Sequence, residues 1–211
     1  MDITANLLAG WLERYARELA DNKEYLTSLD GPIGDSDHGI NMDRGFRAVV
    51  TALPSQQGKP VDALLKSVGM TLIKTVGGAS GPLYGTVFLR MATAAGGKAT
   101  VNARDLAAML AAGQKGIVDR GKAELGDKTM FDTWEPAVRG YDDAVANGHD
   151  LPDALQAAAE AAEQGMKSTI PLVARKGRAS YLGERSAGHQ DPGATSSYLF
   201  FKSLLDAVRA A

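Results

Sequence analysis

The chain has 211 residues, enough to bury one substantial core, with 23 Lys and Arg against 25 Asp and Glu and a net charge of −2. That balance gives no basic surface for nucleic acid, the lack of cysteine excludes disulfides and thiolate metal sites, and no apolar run reaches membrane-spanning length. The first residues carry Asp2 and no basic stretch ahead of an apolar one, so no secretory signal is read there, and the expectation is a cytoplasmic protein folded as one domain over residues 1–211.

Ile3, Leu7, Leu8, Trp11, Leu12, Tyr15 and Leu19 recur at three- and four-residue steps and predict an amphipathic helix capped by Asp2 or Thr4. Asp21 or Asn22 restarts it through Tyr25 and Leu26 and leads to a loop in which Asp30, Asp35 and Asp37 fall within eight residues, among glycines and a proline that forbid a helix. Such crowding repels itself unless a cation is present. An extended segment would point Asp35 and Asp37 the same way, with Asp30 folding back through the Gly31-Pro32 turn. Oxygen ligands without thiols and with little histidine suit Mg²⁺ over Zn²⁺. The competing reading, a solvated turn that caps the next helix, explains one aspartate more readily than three. An EF-hand does not fit, because its twelfth position counted from Asp35 is Phe46.

The next helix runs from near His38 to Leu53, where Pro54 stops it, and its free N–H groups would attract phosphate beside a cation. For His38 the plain alternative is a helix-start residue bonded to a backbone carbonyl. Pro60 opens a helix through Val76. Gly77-Gly78-Ala79-Ser80-Gly81-Pro82 then resembles a phosphate-cradling turn, although no Gly-Lys-Ser/Thr follows to make a Walker A motif. Further helices are predicted from Tyr84 to Ala95, from a cap at Thr100 or Asn102 through Ile117 to near Gly121, from Trp134 to Val145, and from Pro152 to Thr169. Residues 122–132 read as a polar loop. Residues 174–193 form a long loop with Arg175, Lys176, Arg178 and Arg185, either a solvated basic segment or a phosphate clamp. The last helix starts at Pro192, capped by Asp191, and ends beyond Val208. His149 lies in a turn and has no role, His189 is open between structure and ligand, and the three histidines make no zinc site. Eight helices and no alternating strand give an all-α class, packed as an antiparallel bundle or a closed ring.

Gly34-Asp35-Ser36-Asp37-His38-Gly39, the run from Gly77 to Gly85, Gly121-Lys122-Ala123, Gly126-Asp127-Lys128-Thr129-Met130, the run from Ala174 to Ser186, and His189-Gln190-Asp191-Pro192-Gly193-Ala194 together resemble the nucleotide-binding L subunits of bacterial dihydroxyacetone kinases. The resemblance implies an eight-helix antiparallel barrel with nucleotide at one end, held through two Mg²⁺ ions by Asp30, Asp35 and Asp37. It implies nucleotide contacts from His38, Gly39, Ile40, Asn41, Ala79, Ser80, Gly121, Met130, Arg178, Asp191, Pro192 and Gly193. It also implies a phosphotransferase in which bound ADP is rephosphorylated by an M subunit of the phosphotransferase system, charged from phosphoenolpyruvate. The resulting ATP then serves dihydroxyacetone on a separate K subunit. A chain that begins at Met1 with only this module is expected to be of that form, rather than of the form that exchanges ATP from solution. A transcriptional regulator is a second partner that some relatives take.

Overall fold

The computed structural model describes residues 2–211, and among them the all-α expectation holds. Nine α-helices run in order: α1 (Ala5–Asp21), α2 (Lys23–Asp30), α3 (His38–Ala52), α4 (Val61–Thr75), α5 (Ser80–Ala95), α6 (Ala103–Gly121), α7 (Phe131–Ala146), α8 (Leu151–Ser168) and α9 (Pro192–Arg209). Eight of them close the ring: α1 packs on α3, each helix from α3 to α8 packs on the next, and α9 joins α8 back to α1. The ninth, α2, is short and lies against α3 and α9 at one end of the barrel.

Several boundaries differ from the sequence reading, each for a local reason. Helix α5 begins at Ser80 rather than Tyr84, because Pro82 sits in the first turn, where its missing N–H costs no helical bond. Thr100 is not a cap. It pairs with Thr4 in a two-residue antiparallel bridge, β1 (Ile3–Thr4) with β2 (Thr100–Val101), too short to show an alternating pattern. The cap of α6 is Asn102, whose side chain takes the Asp105 N–H at 3.0 Å while Asp105 takes the Asn102 N–H in return. The long loop is also partly ordered, with a 3-10 segment over Arg178–Ser186 that kinks at Gly183.

The barrel interior is aromatic. Phe200 of α9 has ring centroids 4.8 Å from Trp11, 4.9 Å from Trp134, 5.7 Å from Tyr15 and 6.0 Å from Phe88, in edge-on or tilted contacts that aromatic quadrupoles favour. Twelve of the eighteen residues of α9 are buried, so this wall helix turns most of its surface toward the interior and its neighbours. Small residues set the close pairs. A Cβ on Gly165 would lie 2.3 Å from the Asp132 carbonyl, and one on Gly140 would be 3.3 Å from the Ala161 methyl, which is how the alanine-rich α8 approaches α7. No described helix is long and apolar enough to cross a membrane.

Candidate functional site

Antiparallel order brings the N-termini of α3, α5, α7 and α9 to one end of the ring, where His38, Ser80, Met130 and Pro192 at these starts line a cavity of about 300 Å³. Four helix N-termini around one hollow concentrate partial positive charge and unpaired N–H groups. Only α9 of the four carries a side-chain cap across its first turn in the usual sense, Asp191 accepting from the Ala194 N–H at 2.7 Å.

The acidic loop closes one side. Asp30, Asp35 and Asp37 each offer a carboxylate oxygen, and the three atoms lie within 4.8 Å of one another. Asp30 is buried, and its Oδ2 accepts the backbone N–H groups of Asp37 at 2.9 Å and His38 at 3.2 Å, which fastens the loop to the start of α3. Gly34 is required here, since a Cβ would stand 1.9 Å from Asp30 Oδ1. The segment between Asp35 and Asp37 is not extended, as the alternation suggested. Ser36 has φ +60, a left-handed turn, and this turn rather than strand geometry brings the carboxylates together. Three carboxylates with no thiol or histidine in the set fit a hard divalent cation such as Mg²⁺ and do not fit zinc.

Opposite lies the glycine loop, in which Gly78 has φ +64 and Ala79 and Ser80 reach the cavity wall. His38 is buried beneath them, but it does not bond a backbone carbonyl. Its Nδ1 is 3.2 Å from Ser80 Oγ and its Nε2 is 2.9 Å from Ser196 Oγ. Burial lowers its pKa to about 4 against the opposing pull of Asp30 and Asp37, so the ring is neutral at pH 7. Gly121, Met130, Arg178, Asp191, Pro192 and Gly193 all line the cavity, whereas Gly39, Ile40 and Asn41 do not. Gly39 lets α2 approach, since a Cβ there would meet the Lys23 carbonyl at 2.0 Å. Ile40 points to solvent, and Asn41 takes a bond from Arg44 at 2.6 Å under the glycine loop.

Two of the four basic-loop cations, Lys176 and Arg178, reach the cavity. Arg178 pairs with Asp35 at 3.0 Å, and Ala174, Ala179 and Leu182 pack on Ile33, so the basic loop rests on the acidic one. His149, given no role, is exposed, and His189, left open, contributes its carbonyl to Lys128. Asp191 is pushed up to about 7, chiefly by burial, with Asp132 and Asp30 adding to the rise and Lys128 and the Ala194 N–H opposing it.

Residues 32–206 match the family described as the DAK2 domain. The chain belongs to that family. Among curated DAK2 proteins it is 47% identical over 209 residues to the PEP-dependent dihydroxyacetone kinase ADP-binding subunit DhaL of Escherichia coli (strain K12), covering 99% of this chain and 100% of that one. It is 41% identical over 206 residues to the corresponding PTS-dependent subunit of Lactococcus lactis, covering 98% and 99%. The solved dihydroxyacetone kinase of C. freundii superposes with a TM-score of 0.73 at 28% identity, over 95% of this chain. Its complex with AMP-PNP and Mg²⁺ superposes at 0.70 and 28% identity, over 98%. This chain spans 34% of each of those two structures' chains.

The DAK2 cavity also holds residues that the sequence reading did not single out. Leu83, Ile117 and Ala123 join Met130 as an apolar wall. Lys128 lines the cavity from a left-handed backbone position, φ +63, with its Nζ donating to the carbonyls of Thr169 and His189. Its burial had no signal, because a lysine in a polar loop reads as solvated. Nor did Ser196 and Ser197, whose hydroxyls face the barrel interior.

Proposed function

We propose that this chain is the ADP-binding subunit of a phosphoenolpyruvate-dependent dihydroxyacetone kinase. It holds ADP with two Mg²⁺ ions, takes a phosphoryl group from an M subunit of the phosphotransferase system, and passes it to dihydroxyacetone on a K subunit. The observation that carries this reading is the joining of three carboxylates to four helix N-termini around one cavity, in a chain 47% identical along its whole length to an ADP-binding subunit.

Phosphoryl transfer asks the protein mainly for positioning and charge neutralisation. Asp30, Asp35 and Asp37 would hold the Mg²⁺, which neutralises charge on the phosphate oxygens when bound. The α5 start at Ala79 and Ser80 offers N–H donors to those oxygens and Ser80 adds its hydroxyl, while the α3 start, its Asp37 and His38 N–H groups held by Asp30, adds the positive end of its dipole. The apolar wall of Leu83, Ile117, Ala123 and Met130 suits the faces of a purine base and excludes water from one side of it. Arg178 leaves Asp35 for a phosphate, where its planar guanidinium makes charge-assisted bonds. No side chain of this chain is needed as a base, because the acceptor hydroxyl belongs to the K subunit.

The test is mass spectrometry of the ligand released from purified protein, followed by turnover with purified K and M subunits and phosphoenolpyruvate. Stoichiometric ADP that survives gel filtration, and triose phosphate formed without added ATP, are expected. Turnover that requires ATP in solution, with the M subunit dispensable, would assign the chain to the ATP-exchanging kinases instead.

A further inference from the structure

Beneath the cavity runs a continuous chain of buried polar side chains that phosphoryl transfer does not use directly. Trp134 Nε1 lies 3.1 Å from Ser197 Oγ, Ser197 Oγ is 3.1 Å from the Tyr84 hydroxyl, and that hydroxyl is 2.8 Å from Ser196 Oγ. Ser196 Oγ is 2.9 Å from His38 Nε2, and His38 Nδ1 is 3.2 Å from Ser80 Oγ at the cavity wall. Ser196, Ser197 and Trp134 have no exposed surface, and Tyr84 has almost none, so water cannot substitute for the links from Trp134 to Ser196.

The direction of this chain follows from its two ends. An indole N–H only donates, so Ser197 accepts from Trp134 and its own proton goes to Tyr84, its other partner. The Tyr15 hydroxyl also neighbours Tyr84 but gives its own proton to the Ser196 carbonyl; Tyr84 in turn has one proton, and Ser196 Oγ at 2.8 Å is placed to accept it. At the far end a phosphate oxygen only accepts, so Ser80 must donate outward and accept from Nδ1–H of His38. Nε2 is then bare and accepts from Ser196. Both ends demand the same polarity, and each hydroxyl along the way passes its one proton forward. The reverse order also has a place to go. Ser196 Oγ is 3.1 Å from the Gly193 carbonyl, and donating there would let it accept from Nε2–H, turning Ser80 so that it offers lone pairs to the ligand. The Gly193 carbonyl does not need that proton, because the Ser197 N–H one helical turn on supplies it.

We propose that Trp134, Ser197, Tyr84 and Ser196 are positioning residues. Their polarised hydrogen-bond chain selects the Nδ1–H tautomer of His38 and so presents the Ser80 hydroxyl proton to an anionic phosphate oxygen in the cavity. This rests on the nucleotide reading above for the identity of the acceptor. Trp134, Ser196 and Ser197 lie outside the cavity lining and Tyr84 borders it, and together they set which atom of Ser80 faces the ligand.

The test is nitrogen-15 NMR of histidine-labelled protein with ADP and Mg²⁺, with ADP affinity measured alongside. In the complex, His38 should carry its proton on Nδ1 with Nε2 unprotonated. Tyr84→Phe breaks the chain at its middle and leaves Ser196 to accept from Nε2–H, so the tautomer should shift toward Nε2–H. ADP affinity should fall about threefold to tenfold, the worth of one hydrogen bond. Ser197→Ala, a smaller change, should act in the same direction. A merely structural role for these residues would move the melting temperature and leave the His38 signals in place. An Nε2–H tautomer in the wild-type complex overturns the proposal, as does a Tyr84→Phe protein that keeps both the tautomer and the affinity. Wild-type protein that binds no ADP overturns the nucleotide reading itself and removes the acceptor on which the chain's polarity depends.

Discussion

The two ends of this barrel are built from the same helices and finished in opposite ways. At the end where α1, α4, α6 and α8 start, three of the four first turns are closed by a side chain and only α4, entered from Pro60, is not: Thr4 takes the Leu7 N–H at 3.1 Å, Asn102 and Asp105 exchange bonds, and Asp150 takes the Asp153 N–H at 3.0 Å. The β1–β2 bridge ties that end further. At the other end, the N-cap side chains of α3, α5 and α7 take no bond, Thr129 accepts the Phe131 N–H of α7 at 3.1 Å, and the Asp37 and His38 N–H groups at the start of α3 are taken by Asp30, seven and eight residues away. A helix start left uncapped costs about 1 kcal/mol each. Three of the four starts carry that cost at the cavity end, where ligand oxygens can serve as caps, against one of four, α4, at the closed end.

The sharpest way to break this comparison is at the carboxylates. Asp35→Asn or Asp37→Asn should lower phosphoryl transfer by about a hundredfold or more, since charge stabilisation at the reacting phosphates is lost, while far-ultraviolet circular dichroism stays near wild type. Retained turnover would remove the metal from these residues. Next in size is the steric pair Gly34→Ala and Gly10→Ala. A Cβ at Gly34 collides with Asp30, whereas nothing lies within 4 Å of one at Gly10 on the exposed side of α1. Titration calorimetry should show Mg²⁺-dependent ADP binding collapsing in the first. The second should gain about 0.5–1 kcal/mol in denaturant melts, the usual benefit of alanine over glycine inside a helix.

Saturating ADP and Mg²⁺ should raise stability by about 2.7 kcal/mol at a hundredfold excess over Kd, and either ligand alone by less. An unchanged melt would mean the open end does not rely on ligand. Arg178→Ala should speed ADP release by about tenfold, as one charge-assisted contact is lost, with Arg178→Lys restoring part of it. The smallest effect belongs to the closed end. Asp150→Ala should cost about 1 kcal/mol in stability and leave transfer untouched, and a loss of activity there would mean the two ends are coupled.

The open end also has a distinct pH signature in the metal-free protein. The raised Asp191 carboxyl keeps its proton in the folded state up to about pH 7, so on its own it makes stability fall as pH rises from about 4 toward 7. The depressed His38 imidazole stays unprotonated down to about pH 4, so on its own it makes stability fall as pH drops below about 6.5. The two slopes oppose each other in the same window. Asp191→Asn keeps the α9 cap but removes one slope, so its denaturation midpoint should rise with pH from about 4 to 6.5 more steeply than that of wild type.

What the sequence made legible were elements with a local signature. Asp191 and Pro192 open α9 as their residue types dictate, Asn22 divides α1 from α2, and the crowding of Asp30, Asp35 and Asp37 in one short loop marked them as a group, although a turn at Ser36 rather than strand alternation joins them. What it hid depended on partners far along the chain. Ser196, Ser197 and Ser203 look like the polar side of a helix, yet they are buried because Tyr84, Trp134 and Trp11 arrive from other helices with hydroxyl or indole groups to satisfy them. Gly81 looks like loop, yet a Cβ there would lie 2.3 Å from the Val76 carbonyl, and the glycine is what lets α5 start one turn early against the end of α4.

The ring closes where α9 meets α1, through a Tyr15 hydroxyl bonded to the Ser196 carbonyl across 181 residues and a Trp11 indole bonded to Ser203 across 192. Helical proteins usually fold quickly because their contacts are local, and these are not. The same α9 supplies Asp191, Pro192 and Gly193 to the cavity, so no half-assembled barrel can hold the ligand. Capture of nucleotide therefore marks the moment of closure, and in a refolding experiment a fluorescent ADP analogue would act as a clock for the last step rather than the first.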